Sequence, residues 1–86
     1  MAYQVTFMPE AEEDLAKLDL GVARRILHKV AWLGKNFESV VPDALSGGFK
    51  GLFKLRVGSY RVIYSASSSE LVITIHAVGH RRDIYK

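Results

Sequence analysis

Three apolar runs occupy the C-terminal part of the chain, and the links between them are too short for any arrangement but antiparallel neighbours. The runs are Leu52–Val57, Tyr60–Ser65 and Leu71–Val78. They are rich in β-branched and aromatic residues, which suit a pleated, half-buried surface. Gly58 and Ser59 alone separate the first two, and Ser67-Ser68-Ser69 lies in the link to the third. A parallel crossover needs about a dozen residues or more. The runs therefore predict an antiparallel meander. Gly at the first central position suits a two-residue type II′ turn. That turn puts Val57 opposite Tyr60, Arg56 opposite Arg61, Leu55 opposite Val62 and Lys54 opposite Ile63. Opposed residues share a side, and sides alternate along a strand. One side of the hairpin is then apolar: Phe53, Leu55, Val57, Tyr60, Val62 and Tyr64. The other carries Lys54, Arg56 and Arg61.

The N-terminal half predicts one strand and two helices. Tyr3 to Phe7 alternates apolar and polar side chains, the pattern of a half-buried strand. Pro9 follows, with Glu10, Glu12, Glu13 and Asp14. Pro in a first turn and carboxylates near the positive end of the helix dipole mark a helix start. Asp19-Leu20-Gly21 interrupts that helix. In the next one Val22, Ile26, Val30, Leu33 and Phe37 recur every three or four residues, as on one buried helix face. Residues 38–51, with Pro42, Gly47, Gly48 and Gly51, predict a connecting loop. The expected fold is α+β, in the order β-α-α-β-β-β. Two N-terminal helices pack on one face of a small antiparallel sheet, in a single domain spanning residues 1–86.

Charge divides along the same line. From Phe49 onward, seven basic residues (Lys50, Lys54, Arg56, Arg61, Arg81, Arg82 and Lys86) face two acidic ones, Glu70 and Asp83. The first 48 residues carry five basic and seven acidic side chains, so the net charge of +3 hides a polarised molecule. A positive field concentrated on one half favours a polyanion, most simply nucleic acid. Like charges directly across a strand pair cost about 0.2–1 kcal/mol. The Arg56/Arg61 opposition is either a solvated face or a phosphate site, and the hairpin alone leaves both open. The end of the chain, Val78 to Tyr85, adds Arg81, Arg82, His80 and Tyr85. Arg binds phosphate bidentately, and Tyr or His stacks on unpaired bases.

Other chemistries lack their residues. The chain has no Cys, which excludes disulfides, thiolate zinc sites and a cysteine nucleophile. His28, within the second helix, is expected to be partly buried. His76 has no Asp, Glu or Cys at ligand spacing, so neither a metal nor another cofactor is expected. No P-loop, paired-carboxylate motif or serine-hydrolase elbow occurs. Neither a signal-peptide pattern nor an apolar run of spanning length is present, so a cytoplasmic setting away from membranes is expected.

The run Gly51-Leu52-Phe53-Lys54-Leu55-Arg56-Val57-Gly58-Ser59-Tyr60-Arg61-Val62-Ile63-Tyr64, followed by Val78-Gly79-His80-Arg81-Arg82-Asp83-Ile84-Tyr85, resembles the RelE family, part of the wider RelE/ParE superfamily of toxins. The resemblance spans essentially the whole chain. It implies a small α+β toxin of a type II toxin–antitoxin system that cuts mRNA in the ribosomal A site. A ribose 2′-OH attacks the adjacent phosphate without a metal and leaves a cyclic phosphate. It also implies a cognate antitoxin, and operator DNA reached through that antitoxin. Residue by residue, Lys54 matches the catalytic lysine, Arg61 the arginine that contacts the phosphate in the transition state, Arg81 the catalytic arginine that follows the Gly-basic pair near the end, and Tyr85 the late tyrosine that stacks on a base. Arg56, His80, Arg82 and Lys50 are the accompanying candidate substrate contacts. Leu52 stands where some relatives carry a further lysine. A ParE-like toxin, which inhibits DNA gyrase without cutting RNA, would share this fold and is the alternative.

Overall fold

A computed structural model describes residues 2–47 and 49–84. The elements are β1 (Gln4–Phe7), α1 (Pro9–Ala16), α2 (Leu20–Asn36), a 3-10 turn (Phe37–Ser39), β2 (Asp43–Ala44), β3 (Phe53–Val57), β4 (Tyr60–Ser67) and β5 (Val72–His80). The class is α+β, as expected, with β3, β4 and β5 forming the antiparallel meander.

Two features differ from expectation. The sheet is mixed rather than antiparallel throughout, because β1 pairs parallel to β5 and the order is β1-β5-β4-β3-β2. The two helices carry the chain from β1 across the sheet to its opposite edge, a crossover that leaves β1 beside the last strand. Nothing in the alternation of residues 3–7 identifies that partner. Secondly, the expected loop of residues 38–51 contains β2, two residues paired with β3 through Asp43↔Lys54 and Ala44↔Phe53.

The hairpin register is as the turn chemistry requires: Val57↔Tyr60, Arg56↔Arg61, Leu55↔Val62 and Lys54↔Ile63. Gly58 has φ +59, and Ser59 is not in the positive-φ region. This matches a type II′ turn, in which the first central residue alone needs positive φ. A bulge interrupts β5 opposite Ile63 and Tyr64, where Ile63 pairs with Ala77 and Tyr64 with Ile75. His76 is the extra residue.

The core lies between the helices and one face of the sheet. Ile26, Val30 and Leu33 form one stripe of α2 and pack with Ala11 of α1 on Val62, Tyr64, Ile73, Ile75 and Val78. Burying each large aliphatic side chain is worth about 1.5–3 kcal/mol. Tyr64 is 1% exposed, with the Phe53 ring 5.6 Å away and the Phe37 ring 6.1 Å away. Burial, with a smaller push from the negative charge of Asp43, raises its phenol above the ordinary value of 10.0.

Two polar details lock helices to strands. Gly34 of α2 accepts a hydrogen bond from Tyr3 N–H at 2.8 Å. A Cβ on Gly34 would lie 3.0 Å from both the Tyr3 carbonyl oxygen and Val5 Cγ2. Asp14, expected as a helix-start charge, instead accepts the Val78 N–H through Oδ2 at 2.9 Å. β1 pairs only with residues 72–75 of β5, so the α1 carboxylate serves a strand N–H beyond the reach of β1.

Three stability outcomes are expected. Gly34→Ala gains about 0.8–1 kcal/mol of helix propensity but incurs about 1–3 kcal/mol of overpacking against backbone, so urea denaturation should show net destabilisation. Asp14→Ala should cost about 1–3 kcal/mol by leaving a buried donor unpaired, and Asp14→Asn less. For Tyr64 the folded value lies above the unfolded one, so its contribution is complete below about pH 10 and declines as pH rises through the folded value. Tyr64→Phe should therefore lose less stability than wild type between about pH 9 and about pH 11.

Candidate functional site

The helices cover one face of the sheet and leave the other open, and strand parity decides which side chains stand on it. Lys54, Arg56 and Arg61 alternate with core-facing residues of β3 and β4, so all three lie on the open side. Lys54 reaches Asp43 of β2, Nζ to Oδ2 4.0 Å, with the two side chains 28% and 55% exposed. A pair this long and wet is weak, about 0–1 kcal/mol, and exchanges readily for another anion.

Arg56 and Arg61 are directly opposed, and the structure shows how the repulsion is tolerated. Arg61 Nη1 donates to the carbonyls of Gly58 and Tyr60 at 2.9 and 2.8 Å. The guanidinium is thereby tied to its own turn, and Arg56 is exposed to solvent. These bonds use Nη1 and leave the Nε and Nη2 hydrogens uncommitted to the turn carbonyls. A guanidinium held in this way retains donors in a fixed fork for a phosphate. Arg25 of α2 reaches the same tip: its Nη2 lies 2.9 Å from the position of a Cβ on Gly58.

The C-terminal segment closes against the hairpin. Arg81 N–H donates to the Ser59 carbonyl at 2.8 Å, and the N–H groups of Asp83 and Ile84 both donate to the His80 carbonyl, at 2.9 and 3.0 Å. Gly79 pairs with Arg61, and a Cβ there would meet Ile84 Cδ1 at 3.2 Å. The absent side chain is what lets the turn fold over the open face. Arg81 and Arg82 are exposed on this turn, close in the fold to Arg61.

His80 is placed differently from its expected position on the cationic face. It pairs with Tyr60 and therefore shares the helix side of the sheet. Its ring stands edge-on to Tyr60, with centroids 5.4 Å apart, and Nδ1 accepts the Arg82 N–H at 3.1 Å. Lys50 lies exposed in the turn before β3, off the strand that carries Lys54. Tyr85 and Lys86 fall outside the described residues. His28 is exposed on α2 rather than partly buried.

Three features of this face escaped sequence reasoning. Asp43 became a neighbour of Lys54 only through the two-residue β2. His76 sits at the bulge of β5, and its Nε2 is 2.8 Å from Ser65 Oγ. Ser65 shares the parity of Ile63 and Arg61, so His76, not His80, is the histidine on the open face. Lastly, a cleft of about 250 Å³ opens beside Lys54, lined by Ala44, Leu45, Ser46 and Phe49. Alternating polarity along β3 would have found none of these, because each depends on a neighbour distant in sequence. Among the described residues no group of three or more His, Cys, Asp or Glu is placed to hold a metal ion, and no helix is long and apolar enough to cross a membrane.

Substituting Arg61 tests the turn clamp directly. Arg61→Ala should lower stability by about 1 kcal/mol, a net value for lost hydrogen bonds offset by relief of the Arg56 repulsion. Arg61→Lys should not restore it, because one ammonium cannot reproduce the planar fork. Denaturant unfolding of the two variants provides the check.

Comparison with known proteins agrees with this geometry. Residues 5–85 match the family model described as ParE toxin of type II toxin-antitoxin system, parDE. A putative RelE-like toxin protein of Escherichia coli is 32% identical over 99% of this chain and 92% of its own length. Toxin RelG of Mycobacterium tuberculosis is 31% identical over 100% of this chain and 99% of its own. Among solved structures, a RelBE toxin–antitoxin complex from Mycobacterium tuberculosis superposes with a TM-score of 0.85 at 27% identity, covering 96% of this chain and 95% of the other. The match extends from the first strand through the C-terminal turn, and the chain belongs to the RelE/ParE superfamily of type II toxin–antitoxin toxins.

Proposed function

We propose that this toxin is a ribosome-dependent mRNA endonuclease acting in the cytoplasm on mRNA in the ribosomal A site. The single observation that carries the proposal is the register of β3 and β4, which gathers Lys54, Arg56 and Arg61 on one uncovered sheet face. A structural role does not require opposed arginines; a phosphodiester does use them. The ribose 2′-oxygen attacks the adjacent phosphorus, the bond to the 5′-oxygen breaks, and the products are a 2′,3′-cyclic phosphate and a 5′-hydroxyl. Lys54 stands on the side of the attacking oxygen. Arg61, pre-set by its turn carbonyls, and Arg81 stabilise the charge that builds on phosphate. Fixed donors of this kind act most strongly where charge develops in the transition state. Arg56, Arg82 and Lys50 hold flanking phosphates, and Tyr85 stacks on a base. The reaction as drawn requires no metal.

A cognate antitoxin is the expected protein partner. RelB–RelE complexes from Mycobacterium tuberculosis and Pyrococcus horikoshii are among the similar structures. An acidic antitoxin segment laid over the open face would neutralise Lys54, Arg56 and Arg61 and exclude RNA. Operator DNA would be reached through the antitoxin.

The ParE family-model match over residues 5–85 favours a second reading, inhibition of DNA gyrase without nuclease activity. One experiment separates the two. On translating ribosomes, wild-type toxin should give discrete cuts within codons by primer extension. Lys54→Ala and Arg61→Ala should each slow cutting about 10²–10³-fold. Growth arrest without cuts, together with loss of gyrase supercoiling in vitro, would establish the second reading instead.

A further inference from the structure

The loop between β2 and β3 is built more carefully than a simple connection requires. Leu45 N–H donates to the Leu52 carbonyl at 3.0 Å, and Leu52 N–H to the Phe49 carbonyl at 3.1 Å. Gly47 and Gly51 supply positive φ angles of 65 and 82, which suit glycine and strain other residues. The loop is thus closed by its own backbone, and Phe49 is held 49% exposed. An ordinary core role does not explain that aromatic: it lies outside the Tyr3, Phe37, Phe53 and Tyr64 cluster. It forms one wall of the cleft of about 250 Å³ whose other lining residues are Ala44, Leu45, Ser46 and Lys54.

Chemistry and size narrow the occupant. The lining residues combine apolar and aromatic side chains, from Ala44, Leu45 and Phe49, with the hydroxyl-bearing Ser46 and the basic Lys54. The volume falls below the roughly 300–1,000 Å³ of a site for a drug-sized ligand, and suits a single flat ring system. A planar ring joined to an anion matches an aromatic wall beside a lysine. Nucleobases stack on aromatic side chains with little regard to sequence, since every base has a π-face.

We propose that this cleft is a nucleobase subsite: the Phe49 ring stacks on the base of the nucleotide whose phosphate lies on Lys54. The Lys54 ammonium exchanges its weak Asp43 partner for that phosphate, and the Ser46 hydroxyl meets the base edge. The subsite rests on the nuclease reading and deepens it by adding a second point at which the mRNA is gripped, separate from the C-terminal turn.

The test is cleavage of a short mRNA on programmed ribosomes at limiting toxin, comparing wild type, Phe49→Tyr and Phe49→Leu. The mRNA is used intact and with an abasic residue at each position around the cut. Phe49→Leu should reduce the cutting rate about tenfold on intact mRNA, within the range of one base–aromatic stack; Phe49→Tyr should remain near wild type. At one abasic position wild type and Phe49→Leu should become equal. Full activity of Phe49→Leu on intact mRNA, or a loss that persists at every abasic position, would overturn the subsite. So would a Phe49→Leu defect confined to antitoxin binding, which would make the cleft a protein contact. Normal cutting by Phe49→Leu beside lost cutting by Arg61→Ala removes the subsite alone, whereas wild type that never cuts removes the nuclease reading with it.

Discussion

The turn at Gly58-Ser59 is the constraint on which the rest depends. A positive φ at Gly58 and an ordinary one at Ser59 produce a two-residue hairpin, and that turn admits one register. A slip of one residue would send Lys54, Arg56 and Arg61 into the core and Leu55 and Val62 into water. The same turn supplies the carbonyls that hold the Arg61 guanidinium and the Ser59 carbonyl that anchors the C-terminal turn. Register, side-chain clamp and chain end thus share one structural origin.

The helices make the face usable by staying off it. Their apolar stripe covers the side bearing Tyr64, Val62 and Ile75, and the close approach of Gly34 to Tyr3 and Val5 keeps α2 tight against β1. Asp14 adds a bond to β5 where no strand can. The sheet consequently has one side packed under the helices, which provides stability, and one side that the helices leave free. Small residues on the free side serve access: Gly79 opposite Arg61 leaves room for Ile84.

The meander, both helices and the face of every residue in the first hairpin were legible from sequence, because periodicity and turn chemistry act over a few residues. The parallel partner of β1 was not, since residues 4–7 carry no mark of the strand they will meet. The bulge at His76 was equally hidden: it displaces one residue without altering the apolar pattern around it. The sequence places His80 beside Arg81 and Arg82 and so points to the cationic face, but pairing with Tyr60 turns it to the other side. Asp43 and Phe49 lie in a stretch whose composition predicts only a loop, because a two-residue strand is too short to leave a pattern. Lys54 and Arg61 were legible because a strand of alternating parity places them without help from elsewhere.

The parallel pairing of β1 with β5 joins residues 4–7 to residues 72–75, almost the full length of the chain. In a chain made from its N-terminal end, β1 must wait for β5 before it can pair. Helices can form early, and the hairpin can close locally, but the sheet cannot be completed until residues 72–75 are available to β1. The core shared by the helices and the sheet is therefore completed late, when Ile73 and Ile75 arrive to pack into it.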